Sequence, residues 1–219
     1  MHIEPGIIAP AKLTFAAVTA SAVYLGYLPS LFRRPTLLLR TALAAIFFSL
    51  FMQAFHMQVG PSELHFIGAI PIYLSFGFVP TLFGFALGLL LQGVLFEPQD
   101  LVHLAVNSLS LAVPLMAMHY SVGRHLKRVS LTTLLKLDAM YYSGVTLMVG
   151  FWLALAQPET SFLAWSQFAS SYLVLVLLEP ICSLAILWGI RRFSGSKWLA
   201  LCISDQSRSA LSLPSRADV

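Results

Sequence analysis

Long apolar runs separated by short polar connectors fill the chain from about residue 10 to residue 190. A helix that crosses the hydrocarbon core of a bilayer needs about 20 mostly apolar residues, and several of the runs reach that length. They lack the alternation of polar and apolar residues over about ten positions that marks transmembrane β-strands. The pattern therefore predicts an all-α integral membrane protein.

Five of the predicted membrane segments each correspond to one apolar run. They lie at about residues 10–32, 41–57, 101–122, 135–156 and 162–190. Residues 65–96 are also almost wholly apolar, but at about 1.5 Å per residue one helix would measure about 48 Å against a core of about 30 Å. Gly77, Pro80 and Gly84 mark a break in this stretch, and Pro80 is suited to begin a second helix.

Loop charge decides how many segments this long stretch contains. With two segments the basic clusters all fall on one side of the membrane, whereas with one segment they are split. The clusters are Arg33, Arg34 and Arg40, then Arg124, Lys127 and Arg128, then Arg191, Arg192 and Lys197. Because cytoplasmic loops are enriched in Lys and Arg, we predict seven transmembrane helices in the cell membrane, with the amino terminus outside and the carboxyl terminus in the cytoplasm.

Composition supports this architecture. Hydrophobic residues make up 58% of the chain and charged residues 10%, whereas soluble domains are about one-quarter charged. The sequence predicts one membrane domain over residues 1–203 and a polar, Ser-rich, disordered cytoplasmic tail over residues 204–219. Cys182 and Cys202 lack the paired spacing of a disulfide or a thiolate site. We expect a lipid bilayer around the protein and no nucleic-acid partner.

The amino terminus carries the most distinctive chemistry, in the sequence Met1-His2-Ile3-Glu4-Pro5-Gly6. The Met1 amine, the backbone nitrogen of His2 and the His2 imidazole can close fused rings on one metal ion and leave a fourth position open. Such a planar set of nitrogen donors suits Ni(II) or Cu(II), with Co(II) close in affinity. We expect Met1 to be retained, because His2 is too large for the usual removal of the initiator and the segment lacks the features of a signal peptide.

Two further histidines fall on the same predicted outer face, where the second segment ends and the third begins. His65 is the candidate for the fourth metal position. His56 and Met57 are nearby donors in one interpretation and interfacial side chains in the other.

Polar residues inside the membrane segments have two possible roles each. Asn107 and Gln92 would either hydrogen-bond a ligating imidazole or join neighbouring helices. Glu179 lies near the centre of the last apolar run, and a carboxyl group there must be protonated, paired or solvated in a cavity.

The sequence contains no motif typical of an enzyme. It has no Gly-x-Ser-x-Gly elbow, no His-Glu-x-x-His helix and no phosphate-binding glycine loop. We therefore expect a protein that is not an enzyme and has no ATPase of its own.

Several motifs resemble those of a known family, the cobalt- and nickel-specific membrane permeases of the CbiM type, which are the substrate-capture S components of energy-coupling factor ABC transporters. The first six residues resemble the amino-terminal signature of the family, and residues 59–69, Val-Gly-Pro-Ser-Glu-Leu-His-Phe-Ile-Gly-Ala, resemble its glycine-rich segment. Shorter similarities are Leu-Gln-Gly-Val-Leu-Phe at residues 91–96, Ala-Val-Asn at residues 105–107 and Leu-Glu-Pro at residues 178–180.

The resemblance implies a seven-helix permease whose amino-terminal segment inserts into the bundle from the outside. It implies that Ni2+ or Co2+ is the transported substrate, held by the Met1 amine, the His2 backbone nitrogen and imidazole, and the His65 imidazole, with no permanently bound cofactor. The energy for transport would come from separate ATPase subunits through a coupling membrane protein.

This chain departs from the family pattern at three positions. Leu64 replaces a glycine before the second histidine, Ser110 replaces a second asparagine, and Tyr172 stands near the place of a later histidine. Two other functions remain open. One is an ATPase-independent secondary metal transporter with Glu179 as its proton carrier, and the other is a metal-independent membrane scaffold. The sequence does not separate nickel from cobalt.

Overall fold

The computed structural model describes residues 2–3, 8–59, 62–156 and 162–213. These residues form a bundle of helices with a small β-sheet at one end. The helices are α1 (Pro10–Leu31), α2 (Pro35–Ala54), α3 (Ala69–Phe76), α4 (Phe78–Leu95), α5 (Leu104–Ser121), α6 (Leu131–Ala154), α7 (Phe162–Arg192), α8 (Lys197–Cys202) and α9 (Asp205–Ala210). The strands are β1 (His2–Ile3), β2 (His56–Val59) and β3 (Ser62–His65), and two 3₁₀ turns span Pro98–His103 and Gly123–His125.

Five stretches of the described residues are helical, long and apolar enough to cross a membrane. They are Pro10–Leu31, Pro35–Ala54, Phe78–Leu95, Pro98–His125 and Trp165–Arg192. The helix α6 has 24 residues but carries Lys136 and Asp138, and α3 has 8 residues, or about 12 Å at 1.5 Å per residue. The structure therefore confirms a mostly helical multi-pass membrane protein, and seven membrane crossings remain a prediction.

The break inside residues 65–96 lies at Gly77. This glycine separates α3 from α4 with a φ angle of 89°, a conformation that residues with a Cβ atom rarely adopt. The helix α4 begins at Phe78, two residues before the predicted start at Pro80. Pro80 is tolerated there because N–H groups in the first helical turn have no partner inside the helix.

A three-stranded antiparallel sheet in the order β1-β3-β2 is the main departure from the all-α prediction. It begins where Phe55 adopts an extended conformation after α2, so His56 and Met57 lie in β2 and not at the end of the predicted helix. The strands are two to four residues long. Strands of that length are too short for a periodic pattern to stand out in the sequence.

The helices α2 and α4 pack closely against each other. A Cβ atom added to Gly84 would lie 2.5 Å from the Cβ atom of Ala44, so the two backbones approach as closely as they do only because glycine has no side chain. Gln92 also joins these helices, because its amide nitrogen donates to the Ser49 carbonyl at 2.9 Å and its amide oxygen accepts a hydrogen bond from Gln53 at 2.7 Å.

Much of the tail over residues 204–219 is folded, contrary to the predicted disorder, and its last six residues lie outside the described structure. The helix α9 packs against the bundle and Leu211 is buried. The backbone N–H of Ser204 donates to the Ser75 carbonyl at 2.8 Å, and the Ser204 hydroxyl accepts from the N–H of Ser207 at 3.2 Å. The serines that suggested disorder therefore form a helix cap and an interhelical contact.

Replacing Gly84 with Ala is expected to lower the free energy of unfolding by about 1–3 kcal/mol, because the added methyl group collides with α2. Thermal unfolding in detergent measures the change. Gly26→Ala in α1 is the matched control, because a Cβ atom there meets nothing within 4 Å. Equal unfolding temperatures for the two variants would contradict the close approach of α2 and α4.

Candidate metal centre

The sheet brings together the chain segments that carry the predicted metal ligands. In its register, His2 of β1 lies opposite Glu63 of β3, and His56 of β2 lies opposite His65 of β3. Residues two positions apart on a strand share a face, and so do residues directly opposite on neighbouring strands. Glu63 and His65 therefore share one face of β3, and His56 joins them from β2.

His65 is buried, with 4% of its surface exposed. Its Nδ1 atom lies 3.4 Å from the backbone oxygen of Met52 near the end of α2, and its Nε2 atom lies 3.1 Å from Oε2 of Glu63. A carbonyl or carboxylate beside a ring nitrogen fixes the orientation of an imidazole, as is usual around metal-binding histidines. The His65 ring is therefore held on both sides in one orientation.

Glu63 connects two histidines, a role that the sequence pattern did not predict. Its Oε1 atom lies 3.0 Å from Nδ1 of His56, while its Oε2 atom contacts His65. The two imidazole rings stack with centroids 6.0 Å apart. His56 lies at the solvent edge of this cluster, with 57% of its side chain exposed. The alternation of Glu63 and His65 along the chain was a signal for a shared strand face, but it spans too few residues to stand out.

The predicted chelate is only partly described by the structure. Met1 lies outside the described residues, and of His2 only the backbone is described. That backbone stands in the strand next to the one that carries His65. In the described ranges, no three His, Cys, Asp or Glu side chains form a group that could hold a metal. The predicted ligand set contains only two such side chains, those of His2 and His65, because its other donors are the Met1 amine and the His2 backbone nitrogen. That these four donors bind one metal ion together stays a prediction.

Two further acidic residues lie beside the sheet. Glu97 and Asp100 are at the start of the 3₁₀ turn Pro98–His103, which contacts β1. The hydrogen bond with Asp100, burial and the negative charges of Asp100 and Glu63 together raise the pKa of Glu97 to about 7, against a smaller lowering by His56. This end of the bundle therefore concentrates carboxyl groups, and the resulting negative potential attracts cations.

The two polar residues predicted as auxiliary to the site differ in their contacts. Asn107 is buried in α5, and its side-chain oxygen has no hydrogen-bond partner in the described structure. Gln92 is engaged by the hydrogen bonds between α2 and α4. Gln92 thus has the helix-joining role that the sequence allowed as its alternative, and an auxiliary role for Asn107 stays a prediction.

Glu179 forms a hydrogen bond to the first turn of α3, the helix that follows β3. The side chain is fully buried, and its Oε1 atom accepts a hydrogen bond of 2.8 Å from the backbone N–H of Ile70 in the first turn of α3. The hydroxyl group of Tyr142 donates to its other oxygen. The helix α3 begins four residues after His65. The hydrogen bond from Ile70 to the Glu179 carboxyl group therefore fixes the position of the backbone just after this histidine.

Comparisons with known proteins point to metal transport. A family model described as the cobalt uptake substrate-specific transmembrane region, CbiM, matches residues 2–196. A comparison with curated protein sequences finds no match. A solved structure described as the crystal structure of a transition metal transporter is similar to this chain with a TM-score of 0.68 and 17% sequence identity. The similarity covers 91% of this chain and 96% of that one, and at this identity it shows a shared fold.

Replacing Glu97 with Gln is expected to stabilise the protein at about pH 8 and to leave it unchanged at about pH 5. The pKa of Glu97 rises from 4.5 to about 7 in the folded chain. Ionisation therefore disfavours the folded state, and stability is lost as pH rises through the folded pKa. Thermal unfolding of both proteins at the two pH values measures the effect. A variant that unfolds at a lower temperature than the native chain at both pH values would contradict the raised pKa of Glu97.

Proposed function

Because the chain belongs to the CbiM family of cobalt uptake substrate-specific transmembrane regions, we propose that it captures a divalent transition-metal ion, Ni2+ or Co2+, at the sheet end of the bundle for uptake into the cell. The observation that carries the proposal is the strand register. It aligns the backbone of His2 with Glu63, beside the buried imidazole of His65. The carboxyl groups around the sheet favour the approach of a cation.

The proposed ligands are the Met1 amine, the backbone nitrogen and imidazole of His2, and the imidazole of His65. Four nitrogen donors in a plane match the preference of Ni(II), and Co(II) is close in affinity. His65 suits this role because the Met52 carbonyl orients its ring through Nδ1, while Nε2 would exchange its contact with Glu63 for the metal. Asn107 remains an auxiliary residue in the proposal, and His56 lies at the entrance.

We further propose that separate ATPase subunits and a coupling membrane protein drive release of the ion to the cytoplasm. The sequence has no phosphate-binding glycine loop with which the chain itself could use a nucleotide. The basic connectors after α1, α5 and α7 join the helix ends that lie away from the sheet. By the positive-inside rule that end faces the cytoplasm of a cell membrane, and the amino terminus with the metal ligands faces outside.

Extending the chain by one residue before Met1 is expected to weaken Ni2+ and Co2+ binding at least about 100-fold, because losing even an outer partner of a metal ligand commonly costs 10–100-fold. The extension turns the terminal amine into an amide without altering the bundle. Isothermal titration of the purified protein with each metal measures the affinity.

Two substitutions, measured by the same titration, test whether His65 is a metal ligand. His65→Ala should lose binding as the extended chain does. His56→Ala is the matched control, since its imidazole belongs to the same cluster but is largely exposed, and it should stay within about ten-fold of the native affinity. Undiminished binding by the extended chain would exclude the terminal amine as a ligand.

The second candidate function is secondary transport without an ATPase, and it depends on Glu179 as a proton carrier. The buried carboxyl groups of Glu179 and Asp138 lie close enough to interact electrostatically, and this pair is the observation that keeps the alternative open. The hydrogen bonds of Glu179 to Ile70 and Tyr142 instead favour an anchoring role.

Glu179→Gln separates the two functions, because Gln cannot carry a proton but still accepts a hydrogen bond. If Glu179 only anchors α3, metal uptake by cells that contain the Glu179→Gln variant and the ATPase subunits should persist and should be insensitive to a proton uncoupler. Metal uptake into vesicles that contain this chain alone measures the alternative. Proton-driven uptake there, abolished in Glu179→Gln while metal binding persists, would favour the secondary transporter.

A further inference from the structure

A cavity of about 390 Å³ opens at the end of the bundle that lies away from the sheet. It lies between the connector from α1 to α2, the turn from α3 to α4, and the start of α9. Its polar lining includes Arg33, Arg34, Arg40, Ser204 and Asp205. The proposed metal site does not use this cavity.

Arg40 is the most unusual residue of the cavity, because its guanidinium group is buried with 4% of the residue exposed. Its Nε atom donates to the Leu201 carbonyl at 3.0 Å, and its Nη2 atom donates to the Ile203 carbonyl at 2.6 Å. Among the described residues, no carboxylate lies within ion-pairing distance of it. Buried charges are normally paired, so this cation lacks the anion that its burial calls for.

The rest of the cavity adds positive charge. Arg33 and Arg34 are exposed at its rim, and Asp205 is the one carboxylate among the described residues of the lining. Asp205 lies 3.6 Å from Arg34, and both side chains are more than half exposed, so this pair is weak. Three guanidinium groups thus face one carboxylate, which leaves an excess of two positive charges.

The backbone favours an anion as well. Gly77 and Phe78, at the amino-terminal end of the 18-residue helix α4, line the cavity. The Gly77 N–H donates to the Tyr73 carbonyl and Pro80 has no N–H. The N–H groups of Phe78 and Val79, which have no partner inside the helix, and the helix dipole therefore attract anions to this end. The planar fork of an arginine matches the oxygens of a phosphate group, so phosphate suits the lining better than a spherical anion does.

An apolar groove of about 260 Å³ adjoins the basic cavity. Phe76 lines both, and the neighbouring residues Ile203 and Ser204 face the groove and the cavity respectively. Leu43 and Phe47 continue the groove along α2, on the side of the helix that carries Arg40. A positively charged cavity beside an apolar groove is complementary to an anionic phospholipid, which has a negatively charged headgroup and apolar acyl chains.

We propose that this end of the bundle binds one anionic phospholipid, with the headgroup phosphate in the basic cavity and an acyl chain in the apolar groove. The phosphate supplies the negative charge that Arg40 lacks. Basic cavities between membrane helices commonly take up anionic headgroups in this way. The lipid then joins α2, the start of α4 and the carboxyl-terminal helices, which meet at the cavity.

Native mass spectrometry of the full chain, titrated with phosphatidylglycerol or phosphatidylcholine, tests the proposal. We expect one phosphatidylglycerol molecule per chain and at least about ten-fold weaker retention of phosphatidylcholine, which has no net charge. Arg33→Gln should weaken phosphatidylglycerol binding about five-fold, which is the typical effect of one basic residue near a membrane surface. The described structure gives Arg33 no intramolecular hydrogen bond or ion pair, so this variant keeps the fold.

Arg192→Gln is the matched control, because Arg192 is an exposed basic residue in the last turn of α7 that does not line the cavity. Equal losses in Arg33→Gln and Arg192→Gln would overturn the site, since they would indicate general attraction to charge. A parallel titration with inorganic phosphate distinguishes the two sources of the anion. Arg33-dependent stabilisation by phosphate, with no gain from phosphatidylglycerol, would overturn the lipid assignment.

Discussion

The structure depends on a constraint that membranes impose on every polypeptide, namely that buried backbone N–H and C=O groups must find partners. Between α2 and α4 the chain leaves the helical conformation for more than ten residues. The three-stranded sheet supplies partners for β2 and β3, Glu179 accepts a hydrogen bond from Ile70, and Ser204 donates to Ser75. Irregular backbone is tolerated because other parts of the chain cover it.

This covering also explains why the histidines lie where they do. A strand presents its side chains on a face of the sheet at a fixed register, and β3 carries His65 two positions from Glu63, the residue that lies opposite the backbone of His2. Glu63, on the same strand, holds the ring of His65 and contacts His56. A continuous helix through residues 55–77 would separate these groups along its axis. The interruption of the helix is therefore what makes a compact site possible.

Much of the helical architecture follows from the sequence, because hydrophobic runs and loop charges report directly on the surroundings of each helix. The break near Gly77 was also predictable, since glycine and proline disrupt a helix through their own backbone properties. The sheet and the fold of the tail were not. Their short elements are stabilised by distant partners, such as Ser204 with Ser75, and no local pattern records such contacts.

The same distinction applies to the candidate site. His65 stands out because a histidine follows a glycine- and proline-containing turn, whereas the contacts of Glu63 depend on register and could not be inferred from spacing alone. The role of Gln92 depended on which helix lay beside it.

The hydrogen bonds from Arg40 to the carbonyl groups of Leu201 and Ile203 have a consequence for biosynthesis. The residues that Arg40 contacts lie 161 and 163 positions further along the sequence. Because a protein is synthesised from its amino terminus, α2 enters the membrane long before those carbonyl groups leave the ribosome. The charged side chain has no access to these carbonyl groups until the chain has been translated through residue 203. The bundle can therefore close at this end only after α8 has been synthesised, whereas contacts among the earlier helices can form before it.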